Sequence, residues 1–267
     1  MISSLQNPRI KEIRQLNAAA KNRHKAGLYA AEGIRLLEEA LQSGVIPELV
    51  IYTDDLDQRG ASLLKGFQAL EVTCLPVTPQ VLGSASDTET PQGILAVLPL
   101  TTPPLPPAPD LVLILDAIRD PGNLGTIMRS CLAAGADALL LGPGTVDAFS
   151  PKVVRAAMGA HFRLPLLSAT WPEIGRITRD LTLYLAAMNQ GQSLWDADLS
   201  RPVGIILGGE AHGAGKKAHQ LSDQYLQIPM QAETESLNAA VAGAVLLFEV
   251  RRQRRDSTSP TASQNYA

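Results

Sequence analysis

From residue 111 onward, short apolar runs alternate with segments of helical periodicity, and this alternation constrains the fold more than any other feature of the chain. The runs predict strands near 111–115, 137–141, 163–167, 181–187, 203–207 and 225–229, separated by helices near 123–134, 150–158, 171–180, 214–220 and 236–253. Such an order gives an α/β fold with a mostly parallel sheet covered on both faces, which takes ligands outside the carboxyl ends of its strands. Upstream, Ile10, Ile13 and Leu16 recur at helical spacing, as do Ile34, Leu37 and Leu41 before the natural stop at Gly44. The apolar runs LYAAEG, ELVIYT, VTCLPV and GILAVLPL complete a small α/β module there. Between the two parts, residues 99–109 hold six prolines, which exclude helix and favour an extended spacer. The expected organisation is an N-terminal module over 1–98, a linker over 99–109, an α/β domain over 110–255 and a polar, disordered tail over 256–267.

Composition narrows the function classes. A chain of 267 residues that is 45% hydrophobic can bury one large core or two smaller ones. Its two cysteines, Cys74 and Cys131, lie too far apart for a zinc knuckle and too few for a disulfide framework, so a reducing, cytoplasmic setting is expected. No run approaches the roughly 18 apolar residues of a membrane span, and MISSLQNPRIKEIRQLN lacks the apolar core of a signal peptide. The histidines at 24, 161, 212 and 219 have no metal-ligand spacing, so no metal is expected. His212, inside a glycine-rich loop, reads as a surface or ligand-contact residue. The formal net charge of −3 argues against a nucleic-acid partner, but the charge is unevenly placed. Arg9, Lys11, Arg14, Lys21, Arg23, Lys25 and Arg35 crowd the first 35 residues, and Arg251, Arg252, Arg254 and Arg255 the end. A basic arm suits phosphate, and a solvated helix face explains the same charges equally well.

Three loops at predicted strand ends carry the chemistry. In LVLILDAIRDPGNLGTIMRSCLAAGA, residues 111–136, Pro121 and Gly122 turn the chain out of the strand and Asn123 stands where a helix N-cap is expected. Arg129 sits among apolar neighbours on what reads as a partly buried helix start; it serves either a phosphate or carboxylate ligand or an ordinary salt bridge. The second loop, IILGGEAHGAGKK at 205–217, has glycines that let backbone approach a ligand, but neither the dinucleotide nor the P-loop spacing fits. Glu210 within it either fixes the loop or contacts substrate. GPGTVD at 142–147 imitates a nucleotide loop, with Asp147 in place of a third glycine. The third loop, in IPMQAETESLNAAVAGAVLLFEVRRQRR at 228–255, leads to a long helix opened by Ser236, an ordinary N-cap residue. Ala239, Ala240, Ala242, Gly243 and Ala244 then leave so little bulk that another backbone, either a tightly packed chain segment or a dimer partner, is expected to approach this helix closely. No Ser-His-Asp order or nucleophile elbow is present.

Taken together, DPGNLGTIMRSCLAAGA, ILGGEAHG and IPMQAETESLNAAVAGAVLLFE resemble the three successive motifs of the SpoU (TrmH-like) RNA methyltransferases of the SPOUT superfamily. The segment YAAEGIRLLEEAL is similar to a ribosomal-protein-like RNA-binding domain often fused before that catalytic domain. The resemblance implies a C-terminal SPOUT domain whose parallel sheet carries a deep trefoil knot, a homodimer, and S-adenosylmethionine as cofactor. It implies a cofactor pocket lined by Gly208, Ile228 and Leu237, and catalytic positions at Asn123, Arg129, Glu210, Ser236 and Asn238. The family commonly has serine where this chain has Ala157 and Ala240. The reaction implied is methylation of a ribose 2′-hydroxyl, in ribosomal RNA first and transfer RNA second. Two other classes stand against it: a non-catalytic RNA-binding or ribosome assembly factor, and a nucleotide-dependent oxidoreductase, which the incomplete dinucleotide loop disfavours.

Overall fold

The computed structural model describes residues 1–188, 190–210, 213–231 and 236–258. In chain order the elements are α1 (Pro8–Ala18), α2 (Ala20–Ala26), β1 (Leu28–Glu32), α3 (Ile34–Gln42), β2 (Leu49–Tyr52), α4 (Gln58–Ala69), β3 (Cys74–Pro76), α5 (Pro79–Ala85) and β4 (Ile94–Pro99). There follow β5 (Leu111–Asp116), α6 (Pro121–Ala134), β6 (Ala138–Leu141), α7 (Pro151–Ala157), β7 (Leu166–Ser168), α8 (Trp171–Ile177) and β8 (Thr182–Ala186). The chain ends with β9 (Gln192–Ser193), β10 (Val203–Gly208), α9 (Lys216–Leu221), β11 (Gln224–Gln227) and α10 (Ala239–Thr258). Two compact units result: Met1–Pro103 with Asp120–Thr126 and Val146–Arg163, and Pro104–Arg119 with Ile127–Thr145 and Leu164–Ala267.

In the first unit, a four-stranded sheet of order β1-β4-β2-β3 is antiparallel except for the β2–β3 pair. The Ile10, Ile13 and Leu16 stripe of α1 packs with Val81, Leu82 and Ala85 of α5 on one face of this sheet, as their helical spacing requires. One cation of the basic arm is not at the surface: Arg23 is 4% exposed, pairs with Asp147 and donates to the Leu16 carbonyl through Nη1 at 2.5 Å. Arg23 is therefore structural. Lys11, Arg14, Lys21 and Lys25 remain exposed.

The second unit is built on a seven-stranded, wholly parallel sheet of order β7-β6-β5-β10-β8-β11-β9. Its central strands β5, β6 and β10 are apolar and buried almost throughout, because both faces are covered there, whereas β9 and β11 toward one edge carry glutamines. Val112, Ile114, Leu140, Leu183, Leu185 and Ile206 meet Ile174 of α8 and Ala218 of α9 on one face. On the other, α10 lies against β10, with Gly243 facing the side chains of Leu207 and Ile127. The close approach expected at the small residues of this helix is thus made at Gly243 by side chains rather than by backbone. The chain winds outward from β5 through β6 and β7, crosses to β8 and β9, returns to β10 beside β5 and ends at β11 between β8 and β9, so the connections leaving β5 and β10 run in opposite directions. A crevice outside the carboxyl ends of these two strands is where such sheets bind ligands.

Helix ends correct the sequence reading in two places. Asp120, not Asn123, caps α6: its carboxylate accepts from the Asn123 amide at 2.7 Å and its carbonyl from Leu124 at 3.1 Å. Pro121 and Gly122 form the first helical turn instead of a separate turn, since proline is favoured at that position. Likewise α10 begins at Ala239, and Asn238 rather than Ser236 caps it, with Oδ1 accepting from Ala240 at 2.9 Å and Val241 at 3.3 Å. The same helix runs on to Thr258, beyond the start expected for a disordered tail; residues 259–267 of that tail lie outside the described residues.

Candidate active site

The site is assembled at the carboxyl ends of β5 and β10, which pair in register from Val203–Leu111 to Gly208–Asp116. Asp116 ends an otherwise apolar strand and is 6% exposed, a position at which a carboxylate needs hydrogen-bond donors. It accepts from the Gly215 amide at 2.6 Å, tying the glycine-rich loop after β10 to the end of β5. Beside it the loops meet backbone to backbone: a Cβ on Gly209 would lie 2.5 Å from the Ala117 carbonyl oxygen, and one on Gly208 2.4 Å from the Ala214 nitrogen. Ala117 itself has φ +59°, a left-handed conformation costly for a residue with a Cβ. The loop then folds on itself through a bridge between Gly209 and Gly213. Asp116 and Ala117 were not singled out from the sequence, although the carboxylate ending LVLILD was the available signal.

Helix α6 carries both polar residues of the first motif. Leu124, Ile127, Met128 and Cys131 are buried at the spacing of one helix face, and Asn123 is half-buried. Arg129 is exposed, contrary to the partly buried setting expected, and makes no hydrogen bond or ion pair among the described residues. Six residues separate it from Asn123, which places the two about 120° apart around the helix. Asn123 belongs to the first compact unit and Arg129 to the second. In the second loop, Glu210 is exposed and has a polar partner; His212 lies outside the described residues.

The third loop leaves β11 through half-buried Ile228 and reaches α10 through Ser236, Leu237 and Asn238, all exposed. Gly208 closes β10, Ile228 directly follows β11, and Leu237 lies in the segment just before α10. The glycines at 208–209 are taken up by the close packing of the loops themselves, and the partly exposed apolar side chain of Leu237 (36%) and half-buried Ile228 are the apolar surface at this edge that fits the base of a nucleoside ligand. The look-alike loop at 142–147 has another purpose. Gly142 lets the Leu115 carbonyl come within 2.6 Å of where a Cβ would be, and Asp147 is the partner of buried Arg23. The described residues include no cluster of metal-ligating side chains.

A parallel sheet with a winding reversal at β5 and β10, and three polar or glycine-rich loops at strand ends, defines an α/β protein of the ligand-binding, doubly wound class. Comparison with known proteins identifies the family: the SpoU rRNA methylase profile matches residues 110–248, an MRM3-like substrate-binding domain matches residues 7–96, and the chain belongs to the SpoU rRNA methylase family. It is 34% identical to the 23S rRNA (guanosine(2553)-2′-O)-methyltransferase RlmP of Bacillus subtilis, over 94% of this chain and 98% of that one. The AdoMet-bound rRNA methyltransferase of Sinorhizobium meliloti superposes with a TM-score of 0.83 at 30% identity, covering 94% of this chain and 97% of that one. The SpoU methyltransferase AviRb of Streptomyces viridochromogenes, also solved with AdoMet, gives a TM-score of 0.86 at 26% identity over 94% and 99% of the two chains.

Proposed function

We propose that this protein transfers a methyl group from S-adenosylmethionine to a ribose 2′-hydroxyl of ribosomal RNA. The observation that carries the reading is the union of the loops after β5 and β10 through the Asp116–Gly215 hydrogen bond, at the carboxyl edge where the third loop also leaves the sheet. The rRNA methyltransferases above match across both the N-terminal module and the sheet domain, which favours ribosomal over transfer RNA. The knotted threading of the C-terminal part, a cytoplasmic location and a homodimer belong to the same proposal. The described helices include none long and apolar enough to cross a membrane.

Gly208, Ile228 and Leu237 hold the cofactor in this reading, with Asp116 keeping the glycine loop in place. Bound S-adenosylmethionine supplies a sulfonium-activated methyl group and is left as the neutral thioether. The chain's own task is to align the ribose and stabilise the charge that develops on its 2′-oxygen as the hydroxyl proton passes to solvent water. Arg129 is exposed and presents a planar cationic fork of donors with no acceptor, so it clamps a neighbouring phosphate and stabilises the nascent alkoxide rather than acting as base. Asn123 orients the ribose. Glu210 and Ser236 face solvent beside this edge and are assigned to substrate contact. Asn238 has its Oδ1 committed to the α10 cap and is assigned a positioning role. The N-terminal module presents exposed Lys11, Arg14, Lys21 and Lys25 to RNA phosphates, with a cavity of about 700 Å³ lined by residues including Glu32, Arg35, Asp55 and Gln92 in the same unit.

The test is transfer of labelled methyl from S-adenosylmethionine to unmodified total RNA. Label is expected as 2′-O-methylribose in ribosomal RNA, falling by about a hundredfold or more in Asn123→Ala and Arg129→Ala. Arg129→Lys is expected to lose activity too, since a planar clamp is removed. RNA binding without transfer would establish the assembly-factor reading instead, and label confined to transfer RNA would move the substrate.

A further inference from the structure

The segment 146–163 lies, in sequence, inside the sheet domain, yet it packs as part of the N-terminal unit together with the start of α6. Four links fasten it to the N-terminal module. Buried Arg23 of α2 pairs with Asp147, and the Tyr29 ring of β1 stands 5.0 Å from Phe149 and 6.1 Å from His161. Arg155 reaches Asp87 at 2.8 Å, and Arg163 reaches Glu39 at 2.6 Å. Helix α7, within the segment, lies against β1. On its other side α7 touches the first turns of α6: a Cβ on Gly125 would sit 2.4 Å from the Ala156 Cβ and 2.9 Å from the Ala157 nitrogen. Gly125 is two residues from Asn123.

We infer that Gly125, Ala156 and the Arg23–Asp147 pair are positioning residues, which set Asn123 by the seating of α7 on the N-terminal module. The inference rests on the reading of Asn123 as a catalytic residue. Two choices at this junction cost stability and gain only position. Glycine inside a helix costs about 0.5–1 kcal/mol relative to alanine, and here it permits a backbone approach that no other residue allows. A buried ion pair is a weak source of stability, but it fixes the relative placement of the elements it joins. An isolated packing site would be filled more cheaply by two apolar side chains. The chain instead brings α6 and α7 together at backbone distance, two residues from Asn123, which orients the ribose in this reading.

The test uses the full-length protein in single-turnover methyl transfer to unmethylated ribosomal RNA, with S-adenosylmethionine and RNA affinities measured separately. Gly125→Ala is expected to slow transfer by about tenfold to a hundredfold, the effect of a small misplacement, with both affinities unchanged within about twofold. Adding Ala156→Gly is expected to restore little of the rate, because the new Cβ still meets the Ala156 carbonyl carbon at 2.8 Å and the Ala157 nitrogen at 2.9 Å. Adding Gly125→Ala to Asn123→Ala is expected to cost nothing further, because both act through one side chain. Losses that multiply in that double variant, or an unchanged rate in a Gly125→Ala protein that binds cofactor normally, would overturn the inference. Should Gly125→Ala not fold, Ala156→Val crowds the same contact from the α7 side and enters the same cycle. A wild-type rate in Asn123→Ala alone would remove the catalytic reading itself, whereas a slow Asn123→Ala beside a normal Gly125→Ala removes only the positioning role.

Discussion

His161 is fully buried, and its Nε2 lies 2.7 Å from the Ala148 carbonyl, which can only accept, so Nε2 carries the proton and Nδ1 is left without a partner. Burial depresses its pKa to about 4, outweighing the Ala148 hydrogen bond and the Asp147 charge, which both act upward. The folded protein therefore holds His161 neutral while the unfolded chain protonates it near pH 6.5. The stability it contributes is complete above that pH and is lost as pH falls toward the folded value. Over that interval the expected loss is about 3 kcal/mol, at about 1.4 kcal/mol per pH unit. Urea unfolding at pH 7 and at pH 4 measures it against His161→Gln, which keeps a donor but cannot titrate. Equal pH dependence in the two proteins would assign the acid sensitivity elsewhere. The sequence offered no route to this histidine: its spacing excluded a metal site, but its burial among Tyr29 and Phe149 is a tertiary fact. Asp147 was hidden for the same reason, since its partner Arg23 lies far away in the chain.

At the scale of elements, strands β5, β6, β8 and β10 were legible because a parallel sheet buried on both faces leaves nearly unbroken apolar runs, and LVLILD or VGIILG has no other use. Strand β9 was not, because two residues paired to Leu226 and Gln227 leave no periodic trace. Caps were misread where two polar residues competed for one helix end. Asp120 took the role expected of Asn123, and Asn238 the role expected of Ser236, because the winning side chain reaches amides two or three residues ahead in each case. That exchange separates chemistry from structure in the third motif. Asn238→Ala is expected to lower stability by about 1 kcal/mol, the usual value of a lost N-cap, read as a lower thermal midpoint. Ser236→Ala, exposed and outside the helix, is expected to leave the midpoint unchanged while reducing methyl transfer. If Ser236→Ala destabilised the protein as much as Asn238→Ala, the division of roles would be wrong.

At the scale of the whole molecule, the partly legible feature is α10. Its alanines and Gly243 were expected to meet another backbone, and the inward side instead meets Leu207 and Ile127. What the small residues concealed is the outward side. Val241 and Phe248 are 49% and 47% exposed, one helical repeat apart, with half-buried Ala244 and Val245 between them and Leu237 just before the helix. Leu246, Leu247 and Val250 are buried on the opposite side, so the first half of the helix, residues 239–248, is apolar all round and one stripe of it lacks a cover within its own unit. A second copy of the chain supplies that cover most simply: twofold symmetry brings the same stripe against itself, and the family resemblance implies a homodimer. Sedimentation at micromolar protein is expected to give a dimer for the wild type and a monomer for Val241→Asp/Phe248→Asp, because two buried carboxylates at a self-complementary face repel across the axis. Trp195→Asp, which removes an equally exposed apolar residue elsewhere, is expected to remain a dimer. A monomeric wild type would leave the stripe without its proposed partner, and a dimeric double variant would place the contact on another face; only loss of the dimer in that one protein ties the oligomer to α10.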